Sequence, residues 1–367
     1  MTIISRSLLY VACLGFLGCS FDGGNQLQGI PSSDSGTFPD SSSLDSGSVD
    51  AATLDAATVD AGPRPDGSVA DAMIVPDAMI VPDATSCGFV ITEICDSGPP
   101  LSDITISEFE LFNTDTDIRC RDFTQNDGTA SCLIYTDMFT VQSGGYLRVK
   151  GSRILLVASA SDVVIDGIID VSSKRAANGN PESLGAGSEA AVCTPAVAAE
   201  NDVGGAGGGS GGSFQGSGGA GGIGDTNTSG GGDGEATGSE AAMTIIPLGV
   251  RAGCRGSVGG REGLFPGAGQ GGRGGAGGGA VGFISIENFS QGSDGRIFVS
   301  GAGASGGGGQ AGGGGGGSGG MIYIEAINVV IDGWVISEGG GGGGGGIGGT
   351  QGEPGENATL NQDGTGG

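Results

Sequence analysis

The second half of the chain repeats one pattern of apolar and polar positions three times. The copies read LLVASASDVVIDGIIDVSS from Leu155 to Ser173, FISIENFSQGSDGRIFVSGAG from Phe283 to Gly303, and MIYIEAINVVIDGWVISEGG from Met321 to Gly340. Apolar residues alternate within each copy, which is the period of a β-strand. The parity of this alternation changes once in each copy, so we predict short strands separated by a bend.

The three copies superpose without a gap, and the matched positions predict one coil of a solenoid. Three columns of this superposition are Leu156 with Ile284 and Ile322, Ile169 with Ile297 and Val335, and Asp166-Gly167 with Asp294-Gly295 and Asp332-Gly333. Asp-Gly marks a second bend, because glycine adopts positive φ and an Asp side chain bonds the nearby backbone. Two bends and three short strands predict a coil of a parallel β-helix, with insertions between coils placed in loops on one side.

Residues 87–150 precede these copies and also favour strands. The stretches FVITEI, ITISEFELF and YLRVKG are rich in β-branched and aromatic residues and are separated by Gly, Pro and Asp. They form either a cap over the end of the solenoid or its first coils.

Glycine makes up 85 of the 367 residues, several times the usual share of about 7%. It is concentrated in runs that follow the strand copies: 204–224, 267–279, 301–320 and 339–349. Two interpretations stay open. The runs are either flexible linkers, or extended threefold helices that lie side by side and pair their backbones in a layer beside the solenoid.

The first 18 residues have the pattern of a signal peptide. The apolar stretch from Leu8 to Leu17 is shorter than the roughly 20 residues that span a bilayer. It ends in Gly18-Cys19, which resembles the bacterial lipobox, and the resemblance implies lipidation of Cys19. Because Ser20 rather than Asp follows the cysteine, the resemblance also implies an outer-membrane or cell-surface position. An ordinary secretory signal is the alternative.

The segment 19–86 has the composition of a disordered stalk. Residues 20–86 contain eleven Asp, no Glu and a single basic residue, Arg64. Such a segment cannot bury enough apolar area to offset the entropy of ordering it. We therefore predict a lipid-anchored tether that holds the folded part away from the membrane. A calcium-binding repeat is the weaker alternative, because the aspartates lack glycine turns at fixed spacing.

Six cysteines follow Cys19, and an even number in an exported protein predicts disulfides. Six cysteines allow fifteen pairings. Local closure favours Cys87–Cys95 and Cys120–Cys132, which leaves Cys193–Cys254 to close a long glycine-rich insertion. A structural zinc site is disfavoured, because the chain has no histidine and no CxxC pair.

Charge and residue types limit the chemistry. The net charge is −27 with 14 basic residues, which argues against a nucleic-acid partner. Without histidine, neither a Ser-His-Asp nor a Cys-His arrangement is available. The column of Asp166, Asp294 and Asp332 predicts turn capping, with Ca²⁺ binding as the alternative. Phe298 and Trp334 occupy positions off the predicted core, so they are candidates for ligand contact, with packing under loops as the alternative.

Two resemblances follow from these residues. The coils resemble the pectin-lyase-like parallel β-helix superfamily. The lipobox, the Asp/Ala/Pro stalk, the VVIDGIIDVSS-like coils, Cys254-Arg-Gly and the GGAGGGA runs are together similar to glycine-rich surface lipoproteins of gliding and predatory Gram-negative bacteria. The resemblance implies an all-β, right-handed parallel β-helix with long glycine-rich loops over 151–367.

These observations predict a cell-surface lipoprotein without catalytic activity, acting as an adhesin or as a matrix component. Its expected partners are the membrane, through the lipid anchor, and a polysaccharide or another cell surface. No cofactor is expected. The alternative is a polysaccharide lyase or hydrolase that uses carboxylates on one face of the β-helix.

Overall fold

A computed structural model describes the backbone of residues 7–11 and 20–22, together with residues 98–175, 182–188, 193–224, 236–245, 247–263, 269–358 and 366. Every regular element in these ranges is a β-strand, and the strands form three sheets in which most neighbours run parallel. This all-β arrangement is consistent with a β-solenoid. Within the same ranges, no helix is long and apolar enough to cross a membrane.

Four complete coils each give one strand to each sheet. Their strands are β6 (Ala130–Thr136), β7 (Phe139–Val141) and β8 (Tyr146–Lys150); β9 (Ile154–Ser159), β10 (Val163–Ile165) and β11 (Ile168–Asp170); β12 (Val281–Ser285), β13 (Asn288–Gln291) and β14 (Arg296–Phe298); and β15 (Ile322–Ala326), β16 (Asn328–Ile331) and β17 (Trp334–Ile336). The first sheet contains the first strand of each coil, the second sheet the second, and the third sheet the third.

Residues 104–150 belong to the same stack. The strand β3 (Ile104–Ile106) pairs in parallel with β7, and β4 (Phe109–Asn113) pairs in parallel with β8. The strand β5 (Arg121–Thr124) pairs antiparallel with β6 at the edge of the first sheet. In the described part of 87–150, these strands therefore stack as the first coils of the solenoid.

The gap-free superposition holds for the third sheet and is wrong for the first. Ile169 pairs with Ile297 and Ile297 with Val335, as predicted. Leu156, however, lies opposite Gly282, which lies opposite Tyr323, so the predicted column with Ile284 and Ile322 does not form.

The reason lies in the corners of the coils. The corner between the second and third strands has two residues in the coils that contain Asp166 and Asp332 but four, 292–295, in the middle coil. The corner between the first and second strands keeps its length between the β9 and β12 coils, because Ser159 pairs with Ser285 and Val163 with Phe289. It is one residue shorter in the last coil. Corners absorb insertions while the strands keep their stacking, so a comparison without gaps drifts out of register.

Two hydrophobic clusters stabilise the stack. One fills the space between the three sheets and includes Phe139, Leu155 and Phe283. The other lies on the outer face of the first sheet, where Leu156 and Tyr323 pack against Phe214 and Val250 of the long insertion. The first sheet is thus buried on both faces, which explains why its strands are continuous apolar runs such as ILLVAS.

The glycine runs leave the stack at one corner, between the third sheet and the first. Residues 171–280 connect β11 to β12, 299–321 connect β14 to β15, and residues from 337 onward follow β17. We call the backbone-paired parts of these segments the glycine layer: 206–213, 216–224, 236–239, 253–262, 269–279, 301–308, 310–320, 338–346 and 352–356. Neighbouring runs hydrogen-bond at every third residue, as in Gly272 to Gly312, Gly275 to Gly315 and Gly278 to Ser318.

The run 310–320 lies at the centre of the glycine layer. A Cβ built on Gly315 would lie 1.8 Å from the Ser210 carbonyl oxygen, one on Gly316 1.8 Å from that of Gly340, and one on Gly317 1.9 Å from that of Ala276. Three successive positions therefore face three different neighbouring runs, which is the geometry of an extended threefold helix. Of the two interpretations, the ordered layer is confirmed for the described runs, and only glycine fits at its centre.

Two predicted disulfides are present. Cys120–Cys132 links β6 to the residue just before β5, and Cys193–Cys254 joins two parts of the long insertion across a sequence separation of 61. The predicted pair Cys87–Cys95 and the lipidation site Cys19 lie outside the described residues. So do nearly all residues of the predicted stalk, 19–86.

Two strands from the N-terminal region pair with the last coil. The strand β1 (Ser7–Val11) runs antiparallel to β15, and β2 (Ser20–Asp22) runs antiparallel to β17. The first of them lies inside the predicted signal peptide. Removal of residues 1–18 would therefore leave the outer edge of β15 without this partner.

Candidate ligand-binding face of the third sheet

The outer face of the third sheet carries two columns of side chains in register. Pairing across the five strands aligns Phe109, Tyr146, Ile168, Arg296 and Trp334, which we call the ladder. A second column, two residues further along each strand, contains Leu111, Arg148, Asp170, Phe298 and Ile336. Strand neighbours are about 4.8 Å apart, so each column extends for about 19 Å.

The ladder is open to solvent, especially at its ends. Phe109 is 66% exposed and Trp334 is 37% exposed, while the three residues between them are half-buried. The Phe109 and Tyr146 rings stack with centroids 5.6 Å apart and an angle of 26° between their planes. The ladder therefore presents aromatic, aliphatic and cationic groups on one flat surface.

The second column is mostly covered. Arg148, Asp170, Phe298 and Ile336 are buried, and only Leu111 on the first coil is exposed. Phe298 is 7% exposed, so its predicted role in ligand contact is wrong. Its side chain does lie off the coil interior, as expected, but it is buried there. Trp334 is left as the aromatic candidate from the sequence.

The buried carboxylate of Asp170 fixes the position of Tyr146 in the ladder. The Tyr146 hydroxyl donates to Asp170 Oδ2 at 2.7 Å, Lys174 Nζ donates to the same oxygen at 2.9 Å, and Arg148 Nη1 donates to Asp170 Oδ1 at 3.0 Å. The backbone N–H of Ser172 also donates to Oδ1. Asp170 thus ties the ladder to the start of the long insertion.

These contacts shift two pKa values. Burial alone would raise the pKa of Asp170, but the charges of Arg148 and Lys174 and the bond from Tyr146 outweigh it and hold the pKa below its ordinary value. Burial and the bond to Asp170 raise the pKa of Tyr146. Tyr146 therefore stays a neutral hydrogen-bond donor, and its ring position is set by Asp170.

The aspartate column lies at one corner of the coils. Asp166, Asp294 and Asp332 lie at the corner between the second and third sheets, and no group of carboxylates or cysteines among the described residues is arranged to hold a metal ion. The glycines that follow these aspartates allow the close approach of neighbouring coils at this corner. A Cβ on Gly167 would lie 2.4 Å from the carbonyl oxygens of Gln142 and Gly145.

Sequence reasoning found Trp334 and missed the other four rungs. Ile168 and Arg296 stand two residues after the aspartate of their own copies, as Trp334 does, so the alignment of the third strands already placed them beside it. Phe109 and Tyr146 belong to coils whose sequences do not match the repeat closely. The signal for them was an aromatic residue that begins a short strand, with a core residue, Phe112 or Val149, three positions later.

Comparison of the chain with protein families, curated proteins and solved structures found no match.

Proposed function

We propose that this protein is a cell-surface lipoprotein with a right-handed parallel β-helix that binds polysaccharide through the ladder and does not cleave it. The observation that carries this proposal is the in-register, exposed column of Phe109, Tyr146, Ile168, Arg296 and Trp334. The predicted lipobox and acidic stalk supply the anchor and the tether. This role is that of an adhesin or a matrix component.

The residue types of the ladder support binding. Trp, Tyr and Arg are the side chains enriched at the energetic centres of interfaces, and rings give large contact area at low entropic cost. Parallel strands hold the rungs at fixed spacing on a rigid sheet, so the surface is ordered before a ligand arrives. A flat ladder about 19 Å long suits an extended chain better than a compact small molecule.

The alternative is a polysaccharide lyase or hydrolase. A carboxylate that works as a general acid near neutral pH needs a raised pKa. The described carboxylates whose pKa is shifted, Asp117, Asp170 and Glu200, are all shifted downwards. Asp170 is also buried under four donors, which leaves it no access to a glycosidic bond. These observations favour binding over cleavage.

The test uses the purified full chain and a panel of immobilised polysaccharides. We expect retention on at least one polysaccharide and no release of reducing ends or unsaturated sugars over the same incubation. Cells that lack the protein should lose attachment to the matching surface. If the chain is retained on none of the polysaccharides and deletion leaves attachment unchanged, the binding role is refuted. Release of reducing ends or unsaturated sugars would favour the enzyme instead.

A further inference from the structure

The glycine layer carries arginines on one outward face. In the run 253–262, a Cβ on Gly253, Gly256 or Gly259 would lie within 2.2 Å of a carbonyl oxygen of the central run 310–320. A Cβ on Gly260 would meet Glu200 on a second neighbour at 2.0 Å. The remaining third of the positions points outward, and it contains Arg255, Val258 and Arg261, all of them exposed.

The adjacent run 269–279 follows the same rule. Its glycines at 271, 274 and 277 face the run 253–262, and those at 272, 275 and 278 face the segment 299–305. The third set of positions contains Gln270, Arg273 and Ala276, of which the first two are exposed. The two runs are antiparallel, with Gly256 bonded to Gly275 and Gly259 to Gly272, so Arg273 lies opposite Val258.

This register spaces the three charges evenly. An extended threefold helix rises about 3.1 Å per residue, so Arg255 and Arg261 are about 19 Å apart along the run and Arg273 lies about halfway between them on the neighbouring run. Arg255 is bonded to Glu182, with Nη2 to Oε2 at 3.0 Å. Neither Arg261 nor Arg273 forms an ion pair with a described residue. We call these three residues the arginine row.

The local charge is unusual for this chain. The net charge of the protein is −27, yet residues 250–280 contain four arginines and a single glutamate. That glutamate, Glu262, accepts hydrogen bonds from the backbone N–H groups of Gly269 and Gln310. The outward positions of these two runs carry three positive charges, one of them paired with Glu182, on a chain that is otherwise acidic. Such a row attracts polyanions more than the rest of the surface does. This restricts where an acidic polymer can bind.

We propose that the arginine row binds an extended acidic polysaccharide, one that carries carboxylate or sulfate groups at intervals of several ångströms. Arg recognises both groups with paired N–H donors. A nucleic acid fits less well, because phosphates recur about every 3.4 Å along each strand, roughly three times as densely as the arginines. Proteins that bind single strands also stack the bases on aromatic rings, and these outward rows contain none. This site is separate from the ladder and does not depend on it.

The test measures retention of the full chain on four surfaces: dextran sulfate, polygalacturonate, neutral dextran of matched length, and oligo-dT. We expect retention on one or both of the acidic polysaccharides at low salt and little on neutral dextran. Dextran sulfate and polygalacturonate separate sulfate from carboxylate recognition. Binding should weaken strongly as salt rises, because exposed charges are screened over about 3 Å in 1 M salt.

Variants assign the binding to the arginine row. Each of Arg255→Gln, Arg261→Gln and Arg273→Gln should weaken binding about two- to fivefold, and the triple variant at least about tenfold, as expected for exposed charge contacts. Lys150→Gln removes one positive charge elsewhere and should bind like the wild type. A triple Arg→Lys variant changes the same three positions but keeps their charge, so it separates loss of charge from loss of folding. It should retain most of the binding.

Three outcomes would overturn this proposal. The first is a triple Arg→Gln variant, folded by circular dichroism, that binds within twofold of the wild type. The second is tighter retention on oligo-dT than on either acidic polysaccharide. The third is equal retention on neutral dextran, which would show that charge does not drive binding. Failure of the ladder proposal would leave all three measurements interpretable.

Discussion

Replacing glycine by alanine should have opposite effects on stability at two positions of the glycine layer. Gly315 and Gly342 are both glycines of the layer with negative or extended φ. A Cβ on Gly315 would lie 1.8 Å from the Ser210 carbonyl oxygen, whereas one on Gly342 would meet only the Gly314 oxygen, at 3.6 Å. We therefore expect Gly315→Ala to destabilise the protein and Gly342→Ala to be harmless or slightly stabilising.

The structure gives the size of each effect. Ordinary van der Waals contact begins at 3.4 Å, so Gly315→Ala requires the adjacent run to move away by about 1.6 Å. Gly315 donates to Ser257 at 3.0 Å and accepts from Gly275 at 2.9 Å, and a shift of that size loses such bonds. At about 1 kcal/mol per hydrogen bond and 1–3 kcal/mol for overpacking, the loss is about 4 kcal/mol. Gly342→Ala should gain about 0.5 kcal/mol by restricting the unfolded chain.

Urea unfolding of the full chain measures both. Trp334 is the single tryptophan, so its fluorescence can follow the solenoid, while circular dichroism follows the whole chain. A loss of about 4 kcal/mol should lower the urea midpoint by about 1 M or more, given slopes of 1–3 kcal/mol per molar urea. If both variants unfold at the wild-type midpoint, the layer is not packed as described and the reasoning is refuted.

Three further predictions concern the links that hold the parts together. Replacing Cys193 and Cys254 by Ser should cost about 4 kcal/mol, compared with about 3 kcal/mol for the other described disulfide, because the closed loop is longer; urea unfolding of both variants checks the order. Asp170→Asn should cost about 3 kcal/mol at neutral pH by leaving Arg148 buried without its charge partner. The pKa of Asp170 is lowered in the folded state, so its contribution to stability is complete above about pH 4 and is lost as the pH falls through the folded-state pKa. The loss of stability in Asp170→Asn should therefore be smaller in acid than at pH 7, which urea unfolding at the two pH values would show. Cys19→Ala should move the protein from the membrane fraction to the soluble fraction, which fractionation and immunoblotting would show.

The sequence predicts the coil but not its corners. Alternating apolar residues in the third strands, such as Ile169 and Ile297, give the correct register because each follows an Asp-Gly corner directly. The first strands do not, because Gly292 and Ser293 lengthen one corner without any change in apolar pattern. Corner length depends on how each coil stacks on the next, which a single copy of the pattern does not encode.

The glycine layer was predictable in kind but not in detail. Glycine at every position of 312–317 is what a threefold helix needs when it is surrounded by neighbours on three sides, and the sequence shows that run. Which runs pair was not predictable, because glycine offers no side chain to mark a partner. Phe298 was misjudged for a related reason. Its place off the coil interior follows from the local alternation of the strand, whereas its burial does not.

The most direct test of ladder binding compares the retention of three proteins on a polysaccharide that retains the wild type and the triple Arg→Gln variant alike. The proteins are the wild type, Trp334→Ala, and Val330→Ala, which removes an exposed apolar side chain from the neighbouring second sheet. Ladder binding without cleavage predicts about tenfold weaker retention for Trp334→Ala, wild-type retention for Val330→Ala, and no release of sugar by any of the three proteins. Equal retention of Trp334→Ala and the wild type would contradict it.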